Sequence, residues 1–119
     1  MNPPRKRWTV NLTSAATTDF DGIMEWTAEQ FGRQQAETYA ATLVDTINSL
    51  AEWPTTIGVK ACDSLSAGFF TLHTARTGRK ARHIIVFRAD PHRFEEGVQV
   101  VRILHDSMDM ARHIESEPH

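Results

Sequence analysis

Val98-Gln99-Val100-Val101-Arg102-Ile103-Leu104-His105 is a hydrophobic, strand-like run that ends by presenting an arginine and a histidine beside the acidic turn Asp106-Ser107-Met108-Asp109. Two more strand-like runs precede it, Phe69 to Thr74 and His83 to Ala89, both rich in the β-branched and aromatic residues that suit a pleated surface. The first pair is joined by Ala75-Arg76-Thr77-Gly78-Arg79-Lys80-Ala81 and the second by Asp90-Pro91-His92-Arg93-Phe94-Glu95-Glu96-Gly97, both turn-rich. Links this short imply antiparallel neighbours. Beyond His105, Met108 to Ile114 predicts a short terminal helix with Ser107 or Asp106 as cap, and the chain from Glu115 onward is expected to fray.

Upstream the period changes. Trp8, Val10 and Leu12 alternate with polar residues and predict a half-buried strand. Ser14 stands where an N-cap belongs, and Ala16, Phe20, Ile23, Thr27 and Phe31 follow at helical spacing, with Asp19 and Asp21 toward the positive end of the dipole. Gly32 is positioned to stop this helix. A second helix is predicted from about Gln34 to Glu52 on the stripe Ala36, Tyr39, Ala40, Leu43, Val44, Ile47, Leu50 and Ala51, closed by Pro54. So short a link between the helices makes an antiparallel hairpin. From Thr55 to Gly68 the pattern is lost and a loop is expected. A strand, two helices and then consecutive strands predict an α+β fold, the hairpin packed on one face of a small sheet.

A chain of 119 residues, 40% hydrophobic and 24% charged, is expected to form a single domain spanning 1–119, with 1–6 and 115–119 flexible. No run approaches the ~20 apolar residues that span a bilayer, and the basic start Arg5-Lys6-Arg7 is not followed by the apolar core of a signal peptide. Cys62 is the only cysteine, which excludes an intrachain disulfide and a thiolate zinc cage. A cytoplasmic protein is the natural expectation. The net charge of −2 hides an asymmetry: Asp19, Asp21, Glu25, Glu29, Glu37, Asp45 and Glu52 oppose Arg33 alone in the helical half, while Arg76, Arg79, Lys80, Arg82, Arg88 and Arg93 face only Asp90 further on. Such a split suits either two solvated faces or a basic surface that meets an anionic partner.

Arg102-Ile103-Leu104-His105, followed by a polar turn with Asp, resembles the C-terminal signature of the ParE/RelE superfamily, small toxins of type II toxin–antitoxin systems. The resemblance runs from about Trp8 to Ile114 and is closest to the ParE, or plasmid stabilisation, branch. It is carried also by Leu12-Thr13-Ser14 with Asp19 and Ile23, by Trp26, Phe31-Gly32, Ala36, Tyr39, Leu43, Ile47, Leu50 and Pro54 in the hairpin, and by the Arg82 to Arg88 strand. It implies that the first strand inserts beside the last, completing a three-stranded antiparallel meander. It further implies a toxin that inhibits DNA gyrase by binding, neutralised by a ParD-like antitoxin whose disordered C-terminal segment folds over apolar surface and the sheet edge, giving a hetero-oligomer. Sequence-specific DNA binding by this chain alone is not expected.

For the target-binding surface the candidates are Arg79, Lys80, Arg82, Arg102 and His105; for an apolar antitoxin contact, Trp26 with Met108 and Met110 of the terminal helix. The alternative is a RelE-like ribosome-dependent mRNA endoribonuclease in which His105, grouped with His83, exchanges protons while Arg102 and Arg82 hold phosphate. A third reading is a non-toxic binding module of the same fold. The bland account of the same residues pairs Arg102 with Asp106 or Asp109 and lets His105 cap the terminal turn. Tyr39, the only tyrosine, reads as a packing residue with its hydroxyl at the rim, Trp26 as exposed or wedged against the second helix, and Trp53 as a plug for the hairpin end. Histidines at 73, 83, 92, 105, 113 and 119 show no metal-ligand spacing, so no metal or cofactor is expected.

Overall fold

The computed structural model describes residues 8–53, 56, 58–61, 68–75, 81–89 and 97–107. The expected terminal helix from Met108 to Ile114 and the basic loop residues Arg79 and Lys80 lie outside them, as do Met108 and Met110. Strand β1 (Val10–Leu12) leads into helix α1 (Ser14–Phe31), helix α2 (Arg33–Asn48) and a 3-10 turn (Ser49–Glu52). Strands β2 (Lys60–Ala61), β3 (Phe69–His73), β4 (His83–Arg88) and β5 (Val98–His105) follow. The strands form one sheet in the order β1-β5-β4-β3-β2, parallel between β1 and β5 and antiparallel elsewhere.

The α+β reading, the hairpin, the meander and the insertion of the first strand beside the last all hold in this architecture. It adds the two-residue strand β2 inside a stretch read as loop, pairing Lys60 with Thr71 and Ala61 with Phe70. Two residues are too few for any periodicity to register. Three local readings change. Thr13, not Ser14, caps α1, its hydroxyl accepting from Ala16 N at 3.2 Å. Asp19 stands outside the first turn and pairs instead with the last strand. The second helix stops being α-helical at Asn48, and Ser49 to Glu52 tighten into the 3-10 turn. Gly32 does end α1 at φ 93°, but at ψ 164°, an extended glycine conformation rather than a left-handed helical one.

The core lies between the hairpin and one face of the sheet, and it includes Leu43, Leu50, Leu72, Ile85, Phe87, Val98 and Val100. Each such side chain removed from water contributes about 1.5–3 kcal/mol. An aromatic file crosses one end of it. Trp8 meets Trp53 edge-on at 5.0 Å, Trp53 meets Phe70 at 5.4 Å, and Phe70 stacks on Phe87 at 5.5 Å. Trp53 therefore plugs the hairpin end, as expected, and Trp8 N donates to Ala51 O at 2.8 Å to tie the first described residue there. The opposite sheet face carries a smaller cluster around Val86 and Leu104.

One irregularity in β5 positions the site. Val86 pairs with Arg102 but Phe87 pairs with Val100, so Val101 is an extra residue in β5, a β-bulge. The bulge reverses the phase of alternation. Val98 and Val100 join the helix-side core before it, Ile103 after it, and Leu104 packs with the cluster on the other face.

Candidate functional site

Strand β1 covers only Val98 to Val100 of its neighbour. Beyond that point the start of α1 takes over the edge of β5. Thr13 N donates to Val100 O at 3.0 Å, the Thr13 hydroxyl donates to Val101 O at 3.0 Å, and Ile103 N donates to the Asp19 carboxylate at 2.9 Å. The same carboxylate receives Arg102 through Nε at 2.7 Å and Nη2 at 2.9 Å, a bidentate pair with both side chains about 85% removed from solvent. Helix and strand splay apart past this anchor, opening a groove of 1220 Å³. Its helix wall carries Ile23, Trp26, Phe31 and Tyr39, and its sheet wall Arg82, His83, Ile103 and His105.

The two ends of the groove differ in chemistry. At the hairpin tip Trp26 and Phe31 meet edge-on at 5.8 Å and remain 56% and 64% exposed. Large apolar rings left in water beside a groove mark a surface that another molecule covers. At the other end the polar groups interlock. Arg82 N donates to the Tyr39 oxygen at 3.2 Å, which directs the phenol hydrogen to His83 Nδ1, 2.6 Å away. His105 Nδ1 accepts from Ser107 N at 3.2 Å and lies 2.7 Å from the Ser107 hydroxyl. The His83 and His105 rings stand edge-to-face at 5.4 Å.

Behind them, Ala75 N donates to His73 Nδ1 at 3.0 Å, leaving the His73 Nε2 hydrogen to reach Asp106 at 3.1 Å. Arg82 Nε approaches the other Asp106 oxygen at 3.5 Å. The His73 hydrogen bond, seconded by the Arg82 charge, holds the Asp106 carboxyl below its ordinary range. Burial, reinforced by the neighbouring His105, pushes His83 down to about 4. His83 is therefore neutral at physiological pH.

The sequence candidates separate in this geometry. Arg82 and His105 come together at the groove, and Trp26 sits at its far end. Arg102 lines the groove but spends its guanidinium on Asp19, so its role is to lock β5 to α1; neither of the acids considered for it in the sequence, Asp106 or Asp109, is its partner in this pair. Arg79, Lys80, Met108 and Met110 fall outside the described residues. The reading of Tyr39 as mere packing is incomplete, because its hydroxyl organises His83 and the start of β4. The one available sign was a lone tyrosine on an otherwise aliphatic stripe. Asp19 and Phe31 were missed as groove residues for a similar reason: both occupy positions that fit a helix pattern without any tertiary partner.

Among the described residues no group of His, Cys, Asp or Glu is arranged to hold a metal ion, and no helix is long and apolar enough to cross a membrane. Comparison with known proteins points one way. The family model for the ParE toxin of the type II toxin–antitoxin system parDE matches residues 10–110. Toxin ParE1 of Caulobacter vibrioides is 30% identical over 104 residues, covering 87% of this chain and 94% of that protein. Toxin ParE1 of Mycobacterium tuberculosis is 31% identical over 103 residues, with the same coverages of 87% and 94%. A solved structure described as the chromosomal ParDE TA system from P. aeruginosa superposes with a TM-score of 0.65 at 17% identity, covering 85% of this chain and 98% of that one.

Proposed function

This chain belongs to the ParE toxin family of type II toxin–antitoxin systems, and from that premise we propose that it acts by binding, inhibiting DNA gyrase, and is silenced by a ParD-like antitoxin seated in the groove. The observation that carries the antitoxin seat is the groove itself, flanked by Trp26 and Phe31 and lined by Ile23 and Ile103. A disordered segment that folds on binding needs such apolar anchors to offset its ordering entropy. The edge of β5 adds a second attachment, since β1 ends opposite Val100 and, among the described residues, leaves that edge of β5 beyond Ile103 without a strand beside it, β4 pairing the other edge.

The gyrase surface includes Arg82, whose side chain is 72% exposed, with His105; Arg79 and Lys80, just before Arg82 in the sequence, complete the candidate set and lie outside the described residues. Binding is favoured over RNA cleavage by the state of Arg102. The nuclease reading sets this guanidinium on phosphate, and Asp19 already holds it through two hydrogen bonds at 2.7 and 2.9 Å. A cytoplasmic location follows from both targets.

Two reactions test this. Purified protein added to gyrase should block supercoiling, and the block should be relieved by its cognate ParD-like antitoxin. Added to ribosomes translating mRNA, it should leave the message intact. Cleavage of mRNA that disappears in His105→Ala, with gyrase unaffected, would replace this reading with the endoribonuclease.

A further inference from the structure

We propose that His83 and His105, flanked by Arg82, form a receptor for one acidic side chain on the segment that fills the groove, and that docking of this side chain is accompanied by uptake of a proton. The inference rests on the groove being the antitoxin's seat and specifies the chemistry of the segment at its polar end. It commits to an aspartate or glutamate within a polypeptide.

Charge accounting at the groove gives the first argument. Of the two arginines in its walls, Arg102 is neutralised by Asp19 through two short hydrogen bonds. Arg82 keeps most of its side chain in solvent and shares Asp106 with His73. The described wall therefore presents one guanidinium and two imidazoles to whatever enters; its own carboxylate, Asp19, is already spent, and Asp106 behind it, 3.5 Å from both Arg82 Nε and His105 Nδ1, is shared among Arg82, His73 and His105. An anion is the complementary ligand, and a single one. A nucleic acid backbone would need a row of cations along the groove, whereas the rest of these walls is Ile23, Trp26, Phe31 and Ile103. At 1220 Å³ the groove also exceeds the roughly 300–1,000 Å³ of typical small-molecule sites and suits a polypeptide.

Hydrogen-bond accounting gives the second. Both imidazoles use Nδ1 internally, His83 toward the Tyr39 phenol and His105 toward Ser107. Among the described residues neither Nε2 has a partner, so each neutral ring offers one N–H donor. The internal partners include hydroxyls, which accept as readily as they donate. Tyr39 can thus turn to receive a hydrogen on His83 Nδ1, whereas a second proton on His105 exchanges the bond from Ser107 N for the Ser107 hydroxyl and the Asp106 carboxylate 3.5 Å away. Rings 5.4 Å apart resist being charged together, and a carboxylate removes that resistance. The groups facing this pair are Tyr39 from α2, Asp19 and its partner Arg102 across the groove floor, His73 from β3, Arg82 beside it, and Asp106 from the turn after β5. The low value of His83 in the empty groove agrees with this, since its charge must arrive with the ligand.

The test uses the full chain and its cognate ParD-like antitoxin, titrated calorimetrically at pH 6 and pH 8 in buffers of different ionisation heat. One linked proton raises affinity by at most tenfold per pH unit, hence at most about a hundredfold over this interval, so binding roughly ten- to hundredfold tighter at pH 6, with measurable proton uptake, is expected. In His83→Gln/His105→Gln the ratio between the two pH values should collapse to about one. Replacing the antitoxin's acidic residues singly by their amides should reveal one that removes the same dependence, while amidating its C-terminus should not. A variant-free measurement guards against misfolding: ring-nitrogen NMR of the wild-type complex at pH 7 should show one of the two imidazoles doubly protonated. Equal affinity at both pH values, a dependence that survives the double substitution, or two neutral rings in the complex would overturn the receptor while leaving the antitoxin seat standing. Absence of binding at either pH would instead overturn the seat itself, and the receptor with it.

Discussion

Asp19 concentrates three roles in one side chain. It accepts both nitrogens of Arg102 and the amide of Ile103, so it neutralises a nearly buried cation and ends the β5 edge at once. Asp19→Asn keeps the shape but removes the charge that faces Arg102, and removing one partner of a mostly buried pair costs about 3–5 kcal/mol. Urea unfolding should report a loss at or just below that range; a loss under about 1 kcal/mol would mean the pair is dispensable. The sequence hid this role because Asp19 equally suits a helix near its N-terminus, and its partner lies 83 residues away. His83 makes a complementary prediction in pH. Its value of about 4 in the fold lies below the ordinary 6.5, so the unfolded chain binds the proton more tightly. Its contribution is complete above 6.5, declines as pH falls toward 4, and is absent below. The full difference corresponds to about 3 kcal/mol, and the ring's partial access to solvent reduces it to about 1–2 kcal/mol. Melts between pH 7 and pH 4 should show that decline, and Tyr39→Phe/His83→Gln should flatten it.

At the scale of elements, the helix hairpin and the meander were legible because apolar spacing alone determines them: Leu43, Ile47 and Leu50 are buried where the stripe placed them. Val44 and Phe31 occupy the same stripes yet are 43% and 64% exposed, Phe31 because it stands at the groove. The bulge at Val101 left no sign in a run of unbroken β-formers, although it decides which of Ile103 and Leu104 enters the core. Glycines separate the constrained elements from the free ones. Gly97 holds φ 74° at the entrance to β5, and a Cβ there would stand 2.5 Å from Thr9 O, the carbonyl that receives Val98 N. Gly97→Ala therefore combines backbone strain with a clash against the β1–β5 junction, a loss of about 2–4 kcal/mol. Gly22 lies mid-helix, and a methyl group added there would meet nothing within 4 Å, so Gly22→Ala should gain about 0.5–1 kcal/mol from helix propensity. Paired denaturant titrations check both, and equal effects at the two sites would contradict this account of the junction.

For the molecule as a whole, the insertion of β1 beside β5 does more than close the sheet. It brings the start of α1 to the strand that carries Arg102 and His105, and the short reach of β1 then leaves that edge of β5, among the described residues, facing a groove instead of a further strand. An apolar surface this open conflicts with solubility of the free chain and agrees with a protein built to be held by a partner. The double substitution Trp26→Ala/Phe31→Ala separates these two demands. Both rings are more than half exposed and pack chiefly on each other, so unfolding free energy should change by less than about 1 kcal/mol. Leu43→Ala, fully buried, should cost about 2–5 kcal/mol in the same titration. Antitoxin binding should rank them the other way. Loss of two aromatic anchors costs at least about 2 kcal/mol, roughly a thirtyfold weaker Kd, whereas Leu43→Ala that remains folded should bind nearly as the parent does. If the double variant bound the antitoxin with parental affinity, the partner would have to sit elsewhere, and the groove would lose its assignment even though the fold around it stands.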